Sequence, residues 1–555
     1  MPWTLYRYIL VELLKLLALT TVVLVVLISF AASIKPMSEG LMGGWTLLKF
    51  VGYSIPTMLR FALPFAGAFA ATLVFLRLVN DNEILACSAS GLSYRSILLP
   101  VFVLGLALTM GLFFLSNFVL PAFYRAASRT AEADMVAVIV HQLNEGRPVE
   151  MFGNNVLYAD SALERDPPVM PDWPWQPDRL IELHGGALGQ RDQQGRVGTT
   201  VTFDRASAYV FREANDILIQ LILREWVYHN PEDGQFFATQ RLEPTLLRRT
   251  NPLNERIKFF SLRQLRELNE HPDRFGRVRE AKAQLAQAMA VQRLRWQIIR
   301  GLGSGDEHNR LTLLGVRAGE EYDLLAPVLD EQDGRLLLRG TAERPVVVRN
   351  RQPNMPERRL ESHQAVLSIE TIDTSLQPSV RIQLFNARIY DAVLRGEYTE
   401  RSEWTLPRMT WPSDELLPVD PSRMSVWEML QLTQDPEYAQ SPQIDQAESR
   451  LWHTITRLSQ EITAQLHERA ATAVSCVLLL MLGAVLSMRM RGQMPLVVFM
   501  LSFLPAIVSI ILVHTGENMA TSRDFPLYFG LGVSWSGNVA LAVGVGWSYC
   551  RLARN

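Results

Sequence analysis

Three cysteines in 555 residues are too few to staple a large domain, and Cys87, Cys476 and Cys550 all lie in or beside apolar runs. The polar centre of the chain therefore folds on its own core, in an envelope or in a reduced compartment alike. An excess of one charge is missing too. The 54 Lys and Arg against 56 Asp and Glu leave a net of -2, which gives nucleic acid no basic footprint. No G-x-x-x-x-G-K-S/T occurs, so the chain has no phosphate-cradling loop of its own. H-E-x-x-H and G-x-S-x-G are absent as well. The nine histidines are scattered without a metal-ligand spacing. Gly301-Leu302-Gly303-Ser304-Gly305 lacks the lysine and reads as a loop, and the pair Glu320-Glu321 reads as wetted surface. No catalytic residue, metal site or cofactor is expected.

Long hydrophobic runs are abundant. Mean hydropathy of +0.07 averages two apolar ends with a polar centre. Leu16–Ile34, Ser54–Leu78 and Ile97–Leu120 are membrane-length near the start; Ala470–Met488, Leu496–Val513 and Leu527–Tyr549 follow near the end. A cleaved signal peptide ending near Ala31-Ala32-Ser33 is the rival reading of the first run, which is longer than a usual signal core. Pro56 and Pro64 interrupt the second run, which is tolerated where neighbours satisfy the freed carbonyls. With the N-terminus inside, Arg7/Lys15, Arg77/Arg95, Arg489/Arg491 and Arg551/Arg554 all fall on the cytoplasmic side. The same count puts the centre and a Thr515–Pro526 loop outside. Residues 1–122 are then three spans, 123–465 one extracytoplasmic domain, and 466–555 three more spans. The fold class is a polytopic α-helical membrane protein, six spans arranged 3+3, with a large inserted mainly-β domain.

Alternation predicts strands at Val201–Tyr209, Ile217–Tyr228, Arg335–Arg339, Val346–Val348, Ala365–Ile372 and Val380–Tyr390. Arg277–Ile299 predicts a helix, and Asp166–Asp178, dense in proline, a loop. The alternating faces of Ile217–Leu223 and Ile382–Tyr390 read as core. Ile219-Gln220-Leu221 returns as Ile382-Gln383-Leu384, and Phe260-Ser261-Leu262 as Met424-Ser425-Val426. This is either a weak internal repeat or two amphipathic strands that look alike. The segment Val79–Ser96, between the second and third spans, carries a short helix-compatible stretch, Glu83–Ser90, that Gly91 can end in a left-handed cap. A short helix at the cytoplasmic surface suits docking to a soluble partner.

The ends resemble the lipopolysaccharide-export permeases, the LptF/LptG family of ABC-transporter membrane subunits. Leu5-Tyr6-Arg7-Tyr8-Ile9 with Glu12-Leu13-Leu14-Lys15, Pro56 and Pro64, Asn80-Asp81-Asn82-Glu83-Ile84 through Gly91-Leu92-Ser93, and Asn117 with Pro121 carry the resemblance in the first half. Leu466-His467-Glu468-Arg469, Gly516-Glu517, Pro526, Trp535 and Asn538 carry it in the second. Gly537 stands where a proline is usual, and the outer domain is far longer than the family's single β-jellyroll. That leaves room for an insertion at about 255–365 or a second β unit.

The resemblance implies roles. Glu83, with Asp81, Asn82, Gly91 and Ser93, would couple to a cytoplasmic P-loop ATPase dimer that binds the ATP. A carboxylate on a docking helix can pair with an arginine fork and pass on rigid-body motion. Lys35, Arg60 and Lys49 would meet the phosphates of an anionic glycolipid; interfacial snorkelling of Lys35 and an internal salt bridge of Arg60 are the alternatives. A homologous permease, a membrane-anchored periplasmic β-jellyroll bridge and lipopolysaccharide are the other implied partners, at the inner membrane of a Gram-negative-type bacterium. The competing function is a non-transporting envelope scaffold held by the six spans.

Overall fold

The computed structural model describes residues 3–554 except 39–43, 126–139, 152–154, 169–175, 192–196, 214–215, 231–234, 242–244, 251–255, 303–309, 316–319, 333–334, 342, 353–355, 371–377, 391–397, 407–408, 412–423, 437, 439–440, 491–492 and 523. Six helices among these are long and apolar enough to cross a membrane. They are α1 (Trp3–Ser38), α2 (Gly44–Asn80), α4 (Tyr94–Phe114, continued by a π turn at Leu115–Val119), α8 (Pro442–Arg489), α9 (Pro495–Thr521) and α10 (Leu527–Arg554). Between α2 and α4 lies α3 (Glu83–Ala89). Each apolar run expected to span falls within one of these helices, as backbone groups that must be satisfied internally in hydrocarbon require. Pro56 and Pro64 sit inside α2 without ending it.

Two helices extend beyond their apolar runs. Helix α8 starts some way before Ala470, on a polar amphipathic stretch. Helix α9 continues to Thr521, so the expected Thr515–Pro526 loop is largely helical. Gly516 is the reason: a Cβ there would collide with the backbone and hydroxyl of Ser534 on α10. The glycine that looks like a loop signal permits close packing of two helices.

The chain divides into two compact units, residues 1–270 with 457–555, and residues 271–456. The first unit holds the spans and a seven-stranded antiparallel sheet. Its strands are β1 (Val149–Met151), β2 (Asn155–Arg165), β3 (Arg179–Arg191), β4 (Val197–Glu213), β5 (Asp216–Asn230), β6 (Gln235–Arg241) and β7 (Thr245–Thr250). They form a meander in which β5 pairs β4 along one edge and, along the other, β7 with its first half and β6 with its second. Leu143, from a helical segment over 140–144, joins Leu157, Leu183, Phe203, Ala206 and Leu223 in its core. Helix α5 (Leu262–Glu270) follows the sheet.

The second unit opens with α6 (Gly276–Leu302) and continues as a nine-stranded antiparallel sheet. Its strands are β8 (Arg310–Leu314), β9 (Glu321–Leu325), β10 (Val328–Gln332), β11 (Arg335–Arg339), β12 (Val346–Arg351), β13 (Arg358–Ser362), β14 (Gln364–Glu370), β15 (Ser379–Tyr390) and β16 (Tyr398–Thr405). Helix α7 (Val426–Leu432) comes next. Leu294, Ile298 and Leu302 of α6 pack with Leu338, Leu367, Ile382 and Leu384 of the strands in one core. The expected helix and the six expected strands are present, save that the last two residues of Ala365–Ile372 lie outside the described residues. Ile382 and Leu384 are buried as the alternation requires, as is Leu223, but at Asn386 the phase slips by one, so that Asn386 is exposed and Ala387 buried; the side chains of 217–221 lie outside the described residues.

Of the pair Glu320-Glu321, Glu321 is exposed as expected and Glu320 corrects the expectation. Glu320 is buried and accepts hydrogen bonds from Tyr322 (2.8 Å), Gln352 (2.6 Å) and Asn350 (3.4 Å). Such donors make burial of a carboxylate tolerable, and two of the three, Asn350 and Gln352, come from about thirty residues away, which sequence proximity does not reveal. Gly301 and Leu302 are the last turn of α6, not a loop; 303–305 lie outside the described residues.

Candidate functional site

Two places in the first unit gather the residues singled out by the sequence. One is the tip between α2 and α4. Helix α2 stops because Asn82 takes a left-handed backbone, φ 61°, which asparagine tolerates better than most side chains. Helix α3 then runs over Glu83–Ala89 and ends at Gly91, φ 85°, whose N–H donates to the Ser88 carbonyl at 3.0 Å. The Leu92 N–H reaches the Cys87 carbonyl at 3.1 Å, which completes a Schellman-like stop. Ser93 caps α4, its hydroxyl accepting from the Ser96 N–H at 3.4 Å. Asn82, Gly91 and Ser93 thus shape the tip, Asp81 is exposed beside them, and Ile84 anchors α3 in the core of the spans.

The tip is clamped from outside its own segment. The Tyr8 hydroxyl of α1 donates to Glu83 at 3.4 Å and accepts from Arg77 at 3.0 Å. Arg77 also meets Glu12 at 3.4 Å. Tyr6 shares a 2.6 Å hydrogen bond with Ser96, and Arg95 donates to the Tyr549 hydroxyl of α10 at 3.2 Å. Leu85 remains half-exposed on the outer face of α3. Sequence reasoning did not find Tyr6, Tyr8 and Glu12 as clamp residues, because the contacts join distant segments.

The second place is a buried polar cluster built from α2, α4, α8, α9 and the segment leaving β7. Arg60 of α2, 5% exposed, makes an ion pair with Glu468 of α8, 1% exposed. This is the internal salt bridge weighed as an alternative for Arg60. Gln465 donates to Glu468 at 2.9 Å. His514 of α9 lies 4.0 Å from Glu468 and 3.5 Å from Glu517. Arg469, the largest fully buried side chain, donates to the carbonyls of Phe260 (3.0 Å) and Lys258 (3.3 Å) and to the Asn117 side chain (3.3 Å). Asn117 is free to turn that way because it lies in the π turn, where its amide donates back to the Phe113 carbonyl at 2.8 Å. Lys258 stacks over the rings of Tyr124 and Phe259, and burial first, then Arg256, lowers its pKa. Nearby, Trp535 donates to His467 at 3.1 Å and Asn538 to the Ala471 carbonyl at 2.9 Å.

The motif residues Asn117, His467, Glu468, Arg469, Glu517, Trp535 and Asn538, far apart in sequence, therefore come together in space. Gly537, the departure from the usual proline, lies closely against Ser509 of α9. Glu468, His514 and Glu517 place one donor atom each within 4.8 Å of one another, a metal-like grouping that no sequence spacing reveals. The charges around it favour a different use. Arg60, Arg469 and Lys258 already supply three cations to two carboxylates, so a further cation would be repelled. Lys35 belongs to α1 and Lys49 to α2, but both side chains lie outside the described residues. The structure therefore brings together the five residues of the tip and does not bring the three basic residues into one described site.

Comparison with known proteins bears on both places. No curated protein matches the chain. The family described as lipopolysaccharide export system permease LptF/LptG matches residues 7–300, which is more than half of the 555 residues and takes in α1, the tip, the π turn and the whole first sheet. It is a family of transport subunits rather than of enzymes, and with its six membrane-length helices this chain belongs to it.

Proposed function

We propose that the chain is the permease subunit of an ABC exporter that extracts a glycolipid, lipopolysaccharide, from the inner membrane. The spans would take the lipid from the bilayer and pass it to the first β sheet, on the periplasmic side, with both termini in the cytoplasm. A separate P-loop ATPase dimer hydrolyses the ATP, a homologous permease completes the transmembrane pair, and a membrane-anchored β-jellyroll protein receives the lipid. The first sheet would act as the jellyroll of the family, offering open strand edges for pairing.

The single observation that carries this reading is the clamped tip. Helix α3 is short and ends in defined caps; Tyr8 ties its Glu83 to α1, Ile84 seats it in the core of the spans, and the start of α4 that follows it is held to α1 by Tyr6–Ser96 and to α10 by Arg95–Tyr549. A surface helix whose own face and flank are held by the spans transmits a push as a rigid body instead of absorbing it. Glu83 supplies the carboxylate for an arginine of the ATPase, and Leu85 the apolar contact beside it. Headgroup binding falls to Lys35 and Lys49, with Arg60 able to join only by leaving Glu468.

Affinity purification of the intact membrane complex tests the reading. A P-loop ATPase should co-purify with the wild-type chain and be lost with Glu83→Arg, which reverses the charge presented to the partner. Recovery that ignores the substitution removes the coupling role and favours the scaffold reading, in which the tip is dispensable.

A further inference from the structure

The two sheets follow the same course. In the second sheet β9 with β10, β11 with β12, and β13 with β14 each count as one interrupted strand, since β10 pairs β11 while β9 pairs β12, and β11 pairs β14 while β12 pairs β13. Each sheet then begins with a short strand, β1 or β8, that covers only the first part of the next. Each then runs as an antiparallel meander and reaches one long strand, β5 or β15, near its end. On one edge that strand pairs with its predecessor along its length: β4 in the first sheet, β13 and β14 in the second. On the other edge the returning chain pairs in two pieces. In the first sheet these are β6 and then β7; in the second they are β16 and then the bridge from Val380 to Met409.

Both sheets also bend at mid-strand, and the bend marks equivalent residues. Among the described residues only Asn82, Glu225 and Asn386 combine a side chain with positive φ. Two of the three lie in the long strands, Glu225 (φ 52°) in β5 and Asn386 (φ 51°) in β15. At both places the ladder is interrupted on the two flanking strands at once. Left-handed backbone is disfavoured for side-chain-bearing residues, so two such positions at the same point of the same topology are not expected from independent sheets.

The exits match as well. Ser261 and Ser425 each open the helix after their sheet with a reciprocal capping box. The Ser261 N–H donates to Gln264 at 3.0 Å and the Gln264 N–H to the Ser261 hydroxyl at 3.4 Å. The Ser425 N–H donates to Glu428 at 2.7 Å and the Glu428 N–H to the Ser425 hydroxyl at 3.2 Å. Four residues after each serine stands a fully buried apolar side chain, Leu265 or Met429. On the entry side, apolar residues of a preceding helix join each core: Leu143 in the first, Leu294, Ile298 and Leu302 in the second. The family match takes in 261–300, that is α5 and nearly all of α6, and ends before the second sheet begins.

We propose that residues 261–424 are an inserted second copy of the sheet-and-capped-helix module, and that the membrane half of the protein folds with one copy. The junction that would rejoin a single-module chain is Phe260 to Ser425, serine to serine. This goes beyond the export reading and stands whether or not lipopolysaccharide is the cargo.

The test is excision of residues 261–424 from the full-length chain. Cys476 is buried between the spans and Cys550 is exposed, so maleimide labelling in mild detergent reports the packing of the spans. The excised protein should reach the membrane, purify as one species and keep Cys476 protected, as the full chain does. An excised protein that accumulates with Cys476 labelled overturns the proposal. If it is degraded before measurement, a second variant decides: residues 261–270 of the full chain are replaced by a copy of 425–434. Equivalent modules leave its thermal midpoint and Cys476 protection unchanged; loss of either overturns the proposal.

Discussion

The first and second sheets share a path and differ in how they make their bend. In the first, the bend is one straight row: Asp160, Gly185, Asp204, Glu225 and Gln240 stand opposite one another, and the ladder skips every pair. Gly185 takes φ 56°, and a Cβ there would strike Asp160. In the second, every strand breaks differently: Ala326 and Pro327 separate β9 from β10, the stretch 340–345 separates β11 from β12, His363 separates β13 from β14, and Asn386 turns within β15. The second is also closed by α6. The difference teaches that a meander needs a bend at a fixed place and accepts several chemistries for it, because glycine, proline, inserted residues and left-handed asparagine all relieve the ladder.

Several substitutions break or sharpen this comparison. The largest effect belongs to the helix-closed core: Leu384→Ala should cost about 3–4 kcal/mol, since α6 and the strands leave no room to collapse, whereas Leu223→Ala in the first sheet should cost about 2 kcal/mol. Thermal unfolding of the two purified variants checks the order; equal losses would mean that the first core is as closed as the second. Next, Arg469→Met should lower stability by about 2–3 kcal/mol, because the carbonyls of Lys258 and Phe260 lose their buried donor. The same substitution should speed hydrogen exchange at 256–262 and leave 346–367 unchanged; equal speeding in both stretches would show that the effect is not local.

Smaller effects come from the bends. Glu225→Val and Asn386→Val should each cost about 1–2 kcal/mol, and Glu225→Gly and Asn386→Gly should cost nothing measurable. If the glycine variants are as unstable as the valine variants, the left-handed backbone is not what matters at these points. The smallest effect appears only in acid. Burial opposes the charge of Asp323, but Arg310, Thr312 and Arg351 overcome it and hold its pKa below the usual carboxylate value. A depressed folded pKa adds stability above the unfolded value and loses it as pH falls through the folded one. The thermal midpoint of the second unit should therefore fall on acidification below about pH 4. With Asp323→Asn that acid-dependent part should vanish.

Much of this was legible in the sequence. Long apolar runs mark the six spans because unpaired charge is costly in hydrocarbon, and the strand Arg335–Arg339 and the helix around Arg277–Ile299 follow from clean periodicity. The tip was legible because Asn82, Gly91 and Ser93 act through their own backbone. Strand β3 was not, since His184, Gly185, Gly186 and Gly189 interrupt the alternation. The polar cluster was visible only as separate motif residues. Nothing local says that Arg60 of α2 will find Glu468 of α8, or that Glu320 will be buried under donors from other strands. The matching Ile-Gln-Leu triplets pointed to the duplication but in a register two residues from the one the bends define.

The π turn at Leu115–Val119 sets the register of everything after it. A π turn holds about one residue more than an α turn, so α4 carries one residue more there than a regular helix would. One residue rotates everything downstream by about 100°. Without it, Asn117 would leave Arg469, and Pro121 and Tyr124 would face a different neighbour. The extra residue is thus what a buried guanidinium relies on: Arg469 keeps its side-chain partner only while the turn is wide.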